Sequence, residues 1–586
     1  MNYDLNKLSK EQQKTSTFAG LKKLFQLIAH EKRTLLIALG AILTNSTLNL
    51  LGPLIIGHTI DKYVQHKDYT GVLHNAVILL CMYLVALFTS YKQTTLMGGV
   101  GQRMLFTLRN SIFNKLQQLP VGFFNQNKAG DLISRVNNDT DKLNQFFSQS
   151  LMQFIGNIST MIGAGIFLLL INIKLGAAAL CPALVILFLT LILSPWIKRT
   201  NALNLKSVGG MSAEIQESLN NFKVIIAFNR RDYFRKRFDI ANRENYKTAI
   251  GAGLANNVFV PVYGLFASIA QLIVLSFGIY LISIGEFSIG LLVSYLSYAT
   301  NFYNPLRQLA ALWTNFQVAM AGWDRISQIL SLETDLPLIV QGITEPSAAL
   351  LEFRNVHFGY DESREILHNI SFKLEQGKTY ALVGPTGGGK TTTASLIARL
   401  YDPSKGLVLL DGKDIRTYTP EERSQKIGFI LQEPFLFTGT VKENILYGND
   451  LYKDYTNEQL ESVIKDANLG SLLAIFESGL ETPIISGSDS ISLGQKQLIA
   501  FMRAVLRNPE ILILDEATAN IDTITEKLLS DILNNLPATT TRVIIAHRLN
   551  TIENADEIYF VNSGEVIRAG SLNDAMDMLL QGKRAS

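Results

Sequence analysis

Cysteine is nearly absent from this chain of 586 residues, which contains only Cys81 and Cys181. Both lie in uncharged apolar runs, so no disulfide framework or thiolate metal site is indicated, and two small buried side chains are expected. Charge is scarce as well: Asp, Glu, Lys and Arg make up 18% of the residues against 47% hydrophobic ones, and the formal net charge is only +3. So small an excess gives no reason to expect nucleic acid as a partner. The stretch Met1 to Gly20 is polar and lacks the charged, then apolar, then small-residue order of a cleaved signal peptide.

The shortage of charge is concentrated between about Arg33 and Met320. A bilayer core of about 30 Å is spanned by about 20 apolar residues in a helix. Six stretches meet that length: Leu35 to Ile56, Ala76 to Leu96, Leu151 to Ile171, Leu175 to Trp196, Val258 to Ile284 and Ile289 to Leu312. Asn172 to Lys174 and the Gly285-Glu286 pair read as tight turns. Basic residues cluster in the two long connections, among them Arg103, Arg109, Lys115, Arg135 and Lys142 in one and Lys198, Arg199, Arg230, Arg231 and Arg237 in the other. The other side carries mainly Lys62, Lys67 and Lys174, so both connections and both termini are expected in the cytoplasm. Before the first span, Phe18 to His30 has amphipathic spacing that suits an interfacial helix or a soluble docking helix. Polar residues at lipid depth are Asn45, Asn49, Gln153, Asn157, Gln271, Asn301 and Asn304. The aromatics Phe259, Tyr263, Phe266, Tyr295, Tyr298, Phe302 and Tyr303 either line an apolar cavity or serve packing between helices.

The rest of the chain reads as a different material. Ser331 to Ala348 is polar and non-periodic, a linker, and from Leu350 short apolar strands alternate with helices. Within that pattern Gly384, Pro385, Thr386, Gly387, Gly388, Gly389, Lys390 and Thr391 have the P-loop form, with an apolar strand before and a helical pattern through Thr392 after. Glycines let successive N–H groups turn around phosphate oxygens, and the helix start adds positive field. Lys390 has the reach for β- and γ-phosphates, and the Thr391 hydroxyl suits Mg²⁺. A nucleoside triphosphate, ATP, is the expected ligand. Ile511 to Asp515 is a buried-strand run followed by Glu516. Asp515 is placed to hold Mg²⁺ and Glu516 to act as general base on an attacking water.

Six spans followed by a P-loop ATPase domain resemble one half of an ATP-binding cassette (ABC) exporter. The expected fold is an α-helical six-span transmembrane domain fused to an α/β nucleotide-binding domain. Its expected parts are a tail and elbow helix over 1–32, membrane helices with two cytoplasmic coupling helices over 33–330, a linker over 331–348 and the ATPase over 349–586. The resemblance implies that Tyr360 stacks on adenine, that Gln432 reaches Mg²⁺ and the attacking water, that Asp522 belongs to the D-loop and that His547 is the switch histidine. Gly130 to Asp139 and Asn220 to Phe228 look like the two coupling regions.

One motif departs from the family pattern. Where the family signature is Leu-Ser-Gly-Gly-Gln, this chain has Ile491, Ser492, Leu493, Gly494 and Gln495. The acidic residue usual just upstream is also missing from Ile484 to Ser488. In the family this surface closes on ATP held by the partner, and a leucine adds bulk there. With Lys390, Asp515, Glu516 and His547 kept, the pattern is similar to the glutamate-bearing subunit of heterodimeric bacterial multidrug exporters. The resemblance thus implies ATP-driven efflux of hydrophobic or amphipathic compounds from a bacterial cell membrane, beside a second, different half-transporter. Lipid flipping, peptide export and an ATP-gated channel or sensor subunit remain alternatives.

Overall fold

The computed structural model describes residues 3–5, 31–333, 336–361, 364–485, 491–515, 523–545, 555–570 and 572–581. It divides into two compact units. One comprises Ser9–Leu116 and Gly130–Ser331; the other comprises Met1–Leu8, Gln117–Ala129 and Leu332–Ser586. The expected elbow helix, Phe18 to His30, lies outside the described residues.

The first unit is helical. Among the described residues, five helical stretches are long and apolar enough to cross a membrane: Lys32–Val64, Tyr69–Gln117, Ala129–Ile171, Ile173–Asn220 and Arg231–Ser283. The sixth expected span forms a helix, Ile289–Ser331, but falls short on composition because Asn301, Asn304, Arg307 and Gln308 interrupt its middle. The hairpins arise where the sequence places them. Asn172 caps the helix after it by accepting from the Lys174 and Leu175 amides, and Gly285 takes φ +78° in the second turn.

Large apolar side chains such as Leu80, Leu87, Leu184 and Leu191 stand exposed on this unit, as expected of surfaces that meet lipid rather than water. Cys81 and Cys181 are exposed too, which corrects the expectation of burial. They lie on those outward faces, where an apolar run no longer implies a protein interior. Three of the aromatic residues tie helices together. Tyr295, Tyr298 and Tyr303 are buried, and their hydroxyls donate to the backbone carbonyls of Leu168 and Asn172, of Leu50 at 2.7 Å, and of Ala179 at 2.8 Å. Asn157 pairs with Gln308 at 3.0 Å and Gln271 with Thr300 at 3.1 Å. These bonds tie neighbouring helices together through groups that would otherwise face an apolar surround.

The second unit is built on sheets. β1 (Leu351–Phe358), β2 (Leu367–Leu374), β4 (Lys405–Leu410) and β5 (Lys413–Asp414) form an antiparallel sheet in the order β2-β1-β4-β5. The main sheet has the order β12-β11-β3-β10-β9-β6. It contains β3 (Thr379–Val383), β6 (Ile427–Ile430), β9 (Ile511–Asp515), β10 (Thr541–Ile545), β11 (Glu557–Asn562) and β12 (Glu565–Arg568). β7 (Gly439–Thr440) and β8 (Pro483–Ile484) make a short pair. All main-sheet pairs are parallel except β11 with β12.

β3 and β9 are buried along their whole length. Ile511 and Ile513 point into one core and Leu512 and Leu514 into the other. A strand covered on both faces reads as an unbroken apolar run, which is why ILILD carries no alternation. The linker residues are docked rather than free. The Arg399 guanidinium donates to the Pro337 carbonyl at 2.8 Å, and the Glu345 amide donates to Gly412 at 2.8 Å.

Candidate functional site

The site begins where β3 ends. Gly384, Gly387 and Gly389 adopt φ +150°, +81° and +114°, a backbone path that side-chain-bearing residues resist. The path matters because the loop is pressed against the β11–β12 hairpin. A Cβ on Gly384 would overlap the Val561 carbonyl, and one on Gly388 would stand 2.5 Å from it. The Gly564 amide donates to the Gly388 carbonyl at 3.1 Å and fastens the hairpin to the loop. Pro385, Thr386 and Gly387 form the exposed tip, and Gly388 to Lys390 are buried. The helix Lys390–Ile397 starts directly after Gly389.

Lys390 is 5% exposed, and its ammonium donates to the Gly384 carbonyl at 2.8 Å and the Pro385 carbonyl at 3.1 Å. Those bonds hold the amine inside the loop's curve. The Thr391 hydroxyl donates to the Asp515 carboxylate at 3.4 Å, and Asp515 is 4% exposed at the end of β9. A hydroxyl and a carboxylate meeting beside an anion-binding loop form a hard-oxygen pair of the kind Mg²⁺ takes. β3 and β9 are separated in the sheet by β10 alone, so the fold itself brings these two motifs together.

Tyr360 is half-exposed, with its hydroxyl 3.1 Å from that of Thr392. Its ring packs edge-on against Phe358 and Tyr401 at 5.1 Å each, leaving a flank available for stacking. Gln432 follows β6 and is exposed, while its carbonyl accepts from the Gln497 side chain at 3.5 Å. Glu516, Asp522 and His547 lie outside the described residues.

Ser492 caps the helix Leu493–Val505. Its hydroxyl accepts from the Gln495 amide at 3.1 Å, and the Gln495 side chain accepts from the Ser492 amide at 3.0 Å. Leu493 is the first helical residue and is 40% exposed. Neither Leu493 nor Gly494 has a positive φ, so leucine in place of glycine costs no backbone strain here. What changes is the side chain standing at the helix start.

The two stretches that resemble coupling regions, Gly130 to Asp139 and Asn220 to Phe228, both contain helix. The stretch grouped with the ATPase unit is Gln117–Ala129, with a short helix Val121–Gln126, whereas Gly130 onward belongs to the membrane unit. The long helix Tyr69–Gln117 ends just before Pro120, which stands at the N-cap of the short helix. The Asn125 side chain donates to the Tyr401 hydroxyl at 2.7 Å, a contact no motif announces. The second region forms the helix Phe222–Ala227. Ile225 is buried, while Phe222, Val224, Ile226 and Phe228 are exposed.

A P-loop ATPase domain joined to a bundle of apolar helices defines a membrane transport ATPase. Residues 35–306 match the family described as ABC transporter transmembrane region, and residues 367–519 match the family described as ABC transporter. The chain is 33% identical over 561 residues to an uncharacterized ABC transporter ATP-binding protein of Bacillus subtilis, covering 94% of this chain and 91% of that protein. It is 31% identical over 501 residues to a multidrug resistance ABC transporter ATP-binding and permease protein of Lactococcus lactis, covering 85% of this chain and 84% of that one. With a fatty acid ABC transporter ATP-binding/permease protein of Mycobacterium bovis it shares 30% identity over 516 residues, 86% of this chain and 80% of that one. This chain belongs to the ABC transporters: it is an exporter of the half-transporter build that binds ATP and couples its hydrolysis to transport.

Proposed function

We propose that the chain is one half of a bacterial multidrug-type exporter, assembled with a second, different half-transporter. It crosses the cell membrane several times, with both termini and the ATPase domain in the cytoplasm. Its expected cargo is a hydrophobic or amphipathic small molecule taken from the lipid phase. The observation that carries the pairing is the contrast within one chain. The P-loop has its glycine cradle, and Lys390, Thr391 and Asp515 are gathered around it, yet Leu493 projects from the signature helix where the family has glycine.

In this reading Tyr360 stacks on adenine, and the loop amides of residues 385–391 receive the phosphates beside Lys390. Thr391, Asp515 and Gln432 supply oxygens to Mg²⁺, which when bound neutralises phosphate charge and fixes its geometry. Glu516 takes the proton of the attacking water, and His547 and Gln432 orient the reacting groups. Asp522 and residues 492–495 face the partner. The site on this chain closes with an intact signature from the partner and hydrolyses ATP, while the Leu493 surface covers the partner's weaker site.

ATPase activity of this chain alone, compared with activity after mixing with the second half-transporter, tests the pairing. High turnover only in the mixture is expected; full turnover by the single chain refutes it. Glu516→Gln in the mixture is expected to cut turnover at least about a hundredfold while ATP still binds. The likeness to the fatty acid transporter supports a second reading, lipid export, and a fluorescent fatty acid tested beside a hydrophobic dye in vesicles separates the two.

A further inference from the structure

Residues near the start of the sequence are built into the ATPase unit in a way that neither the motifs nor the family assignment explains. Tyr3 and Leu5 are each 1% exposed, as deeply buried as the sheet core. Their contacts fall on two distant parts of the chain. The Tyr3 amide donates to the Gln126 side chain at 2.7 Å, the Asn127 side chain donates to the Tyr3 carbonyl at 2.9 Å, and the Leu5 amide donates to Asn127 Oδ1 at 3.2 Å. The carboxamide of Asn127 thereby copies a peptide group, donating to one backbone group of this short segment and accepting from another. Its Nδ2 also donates to the Phe123 carbonyl at 2.8 Å, which fixes it to the short helix. The Tyr3 ring lies edge-on to Phe123 at 6.2 Å, and its hydroxyl donates to the Glu333 carbonyl at 3.2 Å.

Those two parts have something in common. Gln117–Ala129 is an excursion of the chain out of the membrane unit, and Leu332 onward is the covalent connection from that unit into the ATPase. Tyr3 joins them. The same short helix continues toward the nucleotide site. Asn125 bonds Tyr401 at 2.7 Å, Tyr401 packs on Tyr360 at 5.1 Å, and Tyr360 bonds Thr392 beside the P-loop at 3.1 Å.

We propose that Tyr3–Leu5 is a positioning element of the transport cycle, a clip that locks the helix Val121–Gln126 to the connection at Glu333 so that both answer the nucleotide site together. The clip adds no catalytic group. It removes slack: without it, the short helix can shift relative to residue 333, and movement at Tyr401 is absorbed before it reaches the rest of the chain.

The test uses the full chain in its membrane assembly, comparing wild type with a form lacking residues 2–5, with Asn127→Asp, which cannot donate to Tyr3, and with Tyr3→Phe, which loses only the bond to Glu333. Three quantities are read: amide hydrogen exchange over residues 122–127, ATP affinity, and the change that ATP produces in exchange over the membrane helix 151–171. Loss of the clip is expected to speed local exchange about tenfold. ATP affinity is expected to stay within about twofold, while the ATP response of 151–171 falls by at least about half. Tyr3→Phe is expected to fall between wild type and the deletion, and a peptide of residues 1–8 added to the deletion form restores the response. Unchanged local exchange would show that the clip holds nothing. Faster local exchange with an intact ATP response would reduce it to a structural contact, and an ATP response absent from wild type would leave nothing for it to position. Each of these results overturns the proposal.

Discussion

Gly388→Ala isolates the physical role of the P-loop glycines. Gly388 has an ordinary φ, so alanine brings no backbone penalty and its whole effect comes from one methyl group. That methyl would stand 2.5 Å from the Val561 carbonyl oxygen and 3.1 Å from the Pro385 carbonyl oxygen. The Val561 oxygen belongs to the main chain of β11, so no side chain can rotate away. The hairpin must back off, stretching the Gly564 to Gly388 hydrogen bond of 3.1 Å. Overpacking and the weakened bond together cost about 2–4 kcal/mol. For a domain of this size that lowers the ATPase domain's unfolding midpoint by about 5–15 °C.

Gly387→Ala is the control. No heavy atom lies within 4 Å of its Cβ position, but φ is +81°, so it carries only the left-handed penalty of about 1 kcal/mol. Thermal unfolding without nucleotide, followed by ATP titration of the full-length protein, reads both. Gly388→Ala is expected to be the less stable of the two and to lose at least about tenfold in ATP affinity, since the displaced loop no longer presents its amides together. Equal unfolding midpoints for the two variants would refute the clasp between hairpin and loop.

Other outcomes follow from the same geometry. Thr391→Val keeps the shape of the side chain but removes its hydroxyl, so the Mg²⁺ needed for half-maximal hydrolysis is expected to rise by about tenfold, measured at fixed ATP. Glu352 accepts both arms of Arg354 at 2.9 and 3.0 Å, and these bonds, with Lys373 at 3.2 Å, pull its pKa down to about 2. Because the folded value lies below the unfolded one, its stabilising contribution is complete above the unfolded pKa of about 4.3 and disappears as the pH falls toward 2. Glu352→Gln is therefore expected to lower stability at neutral pH and to flatten the acid limb of the stability profile; an unchanged limb would discount the ion pair. Leu493→Gly costs little helix stability at a first-turn position, and ATP turnover of the paired assembly is expected to rise as the second site gains competence; a fall would argue that the leucine is needed for closure.

The sequence made the ATPase site legible to different depths. Gly384 to Thr391 and Asp515 could be matched because each carries a fixed spacing or a fixed place at a strand end, and β3 and β9 announced themselves as apolar runs covered on both faces. Val561 and Gly564 could not be found this way. They act on the loop through backbone atoms, and the reason Gly388 must be glycine lies about 170 residues away. The cysteines illustrate another limit: an apolar run fixes a preference for leaving water, but not whether protein or lipid replaces it. No motif marks Asn127 and Asn125, four and two residues from Phe123, because their roles depend on Tyr3 and Tyr401.

The placement of β3 has a consequence for biosynthesis. Its two neighbours in the sheet are β10 and β11, and the loop that follows it is moulded against Val561 and Gly564. During elongation the P-loop sequence leaves the ribosome well before either neighbour exists, so the stretch that grips phosphate emerges without the surface that shapes it. A nascent or truncated chain ending before about residue 564 has the motif but not the cradle, and it waits as an unpaired strand edge of the kind chaperones hold. Nucleotide binding thus comes last in the making of the molecule, and an incomplete product inserted in the membrane cannot spend ATP.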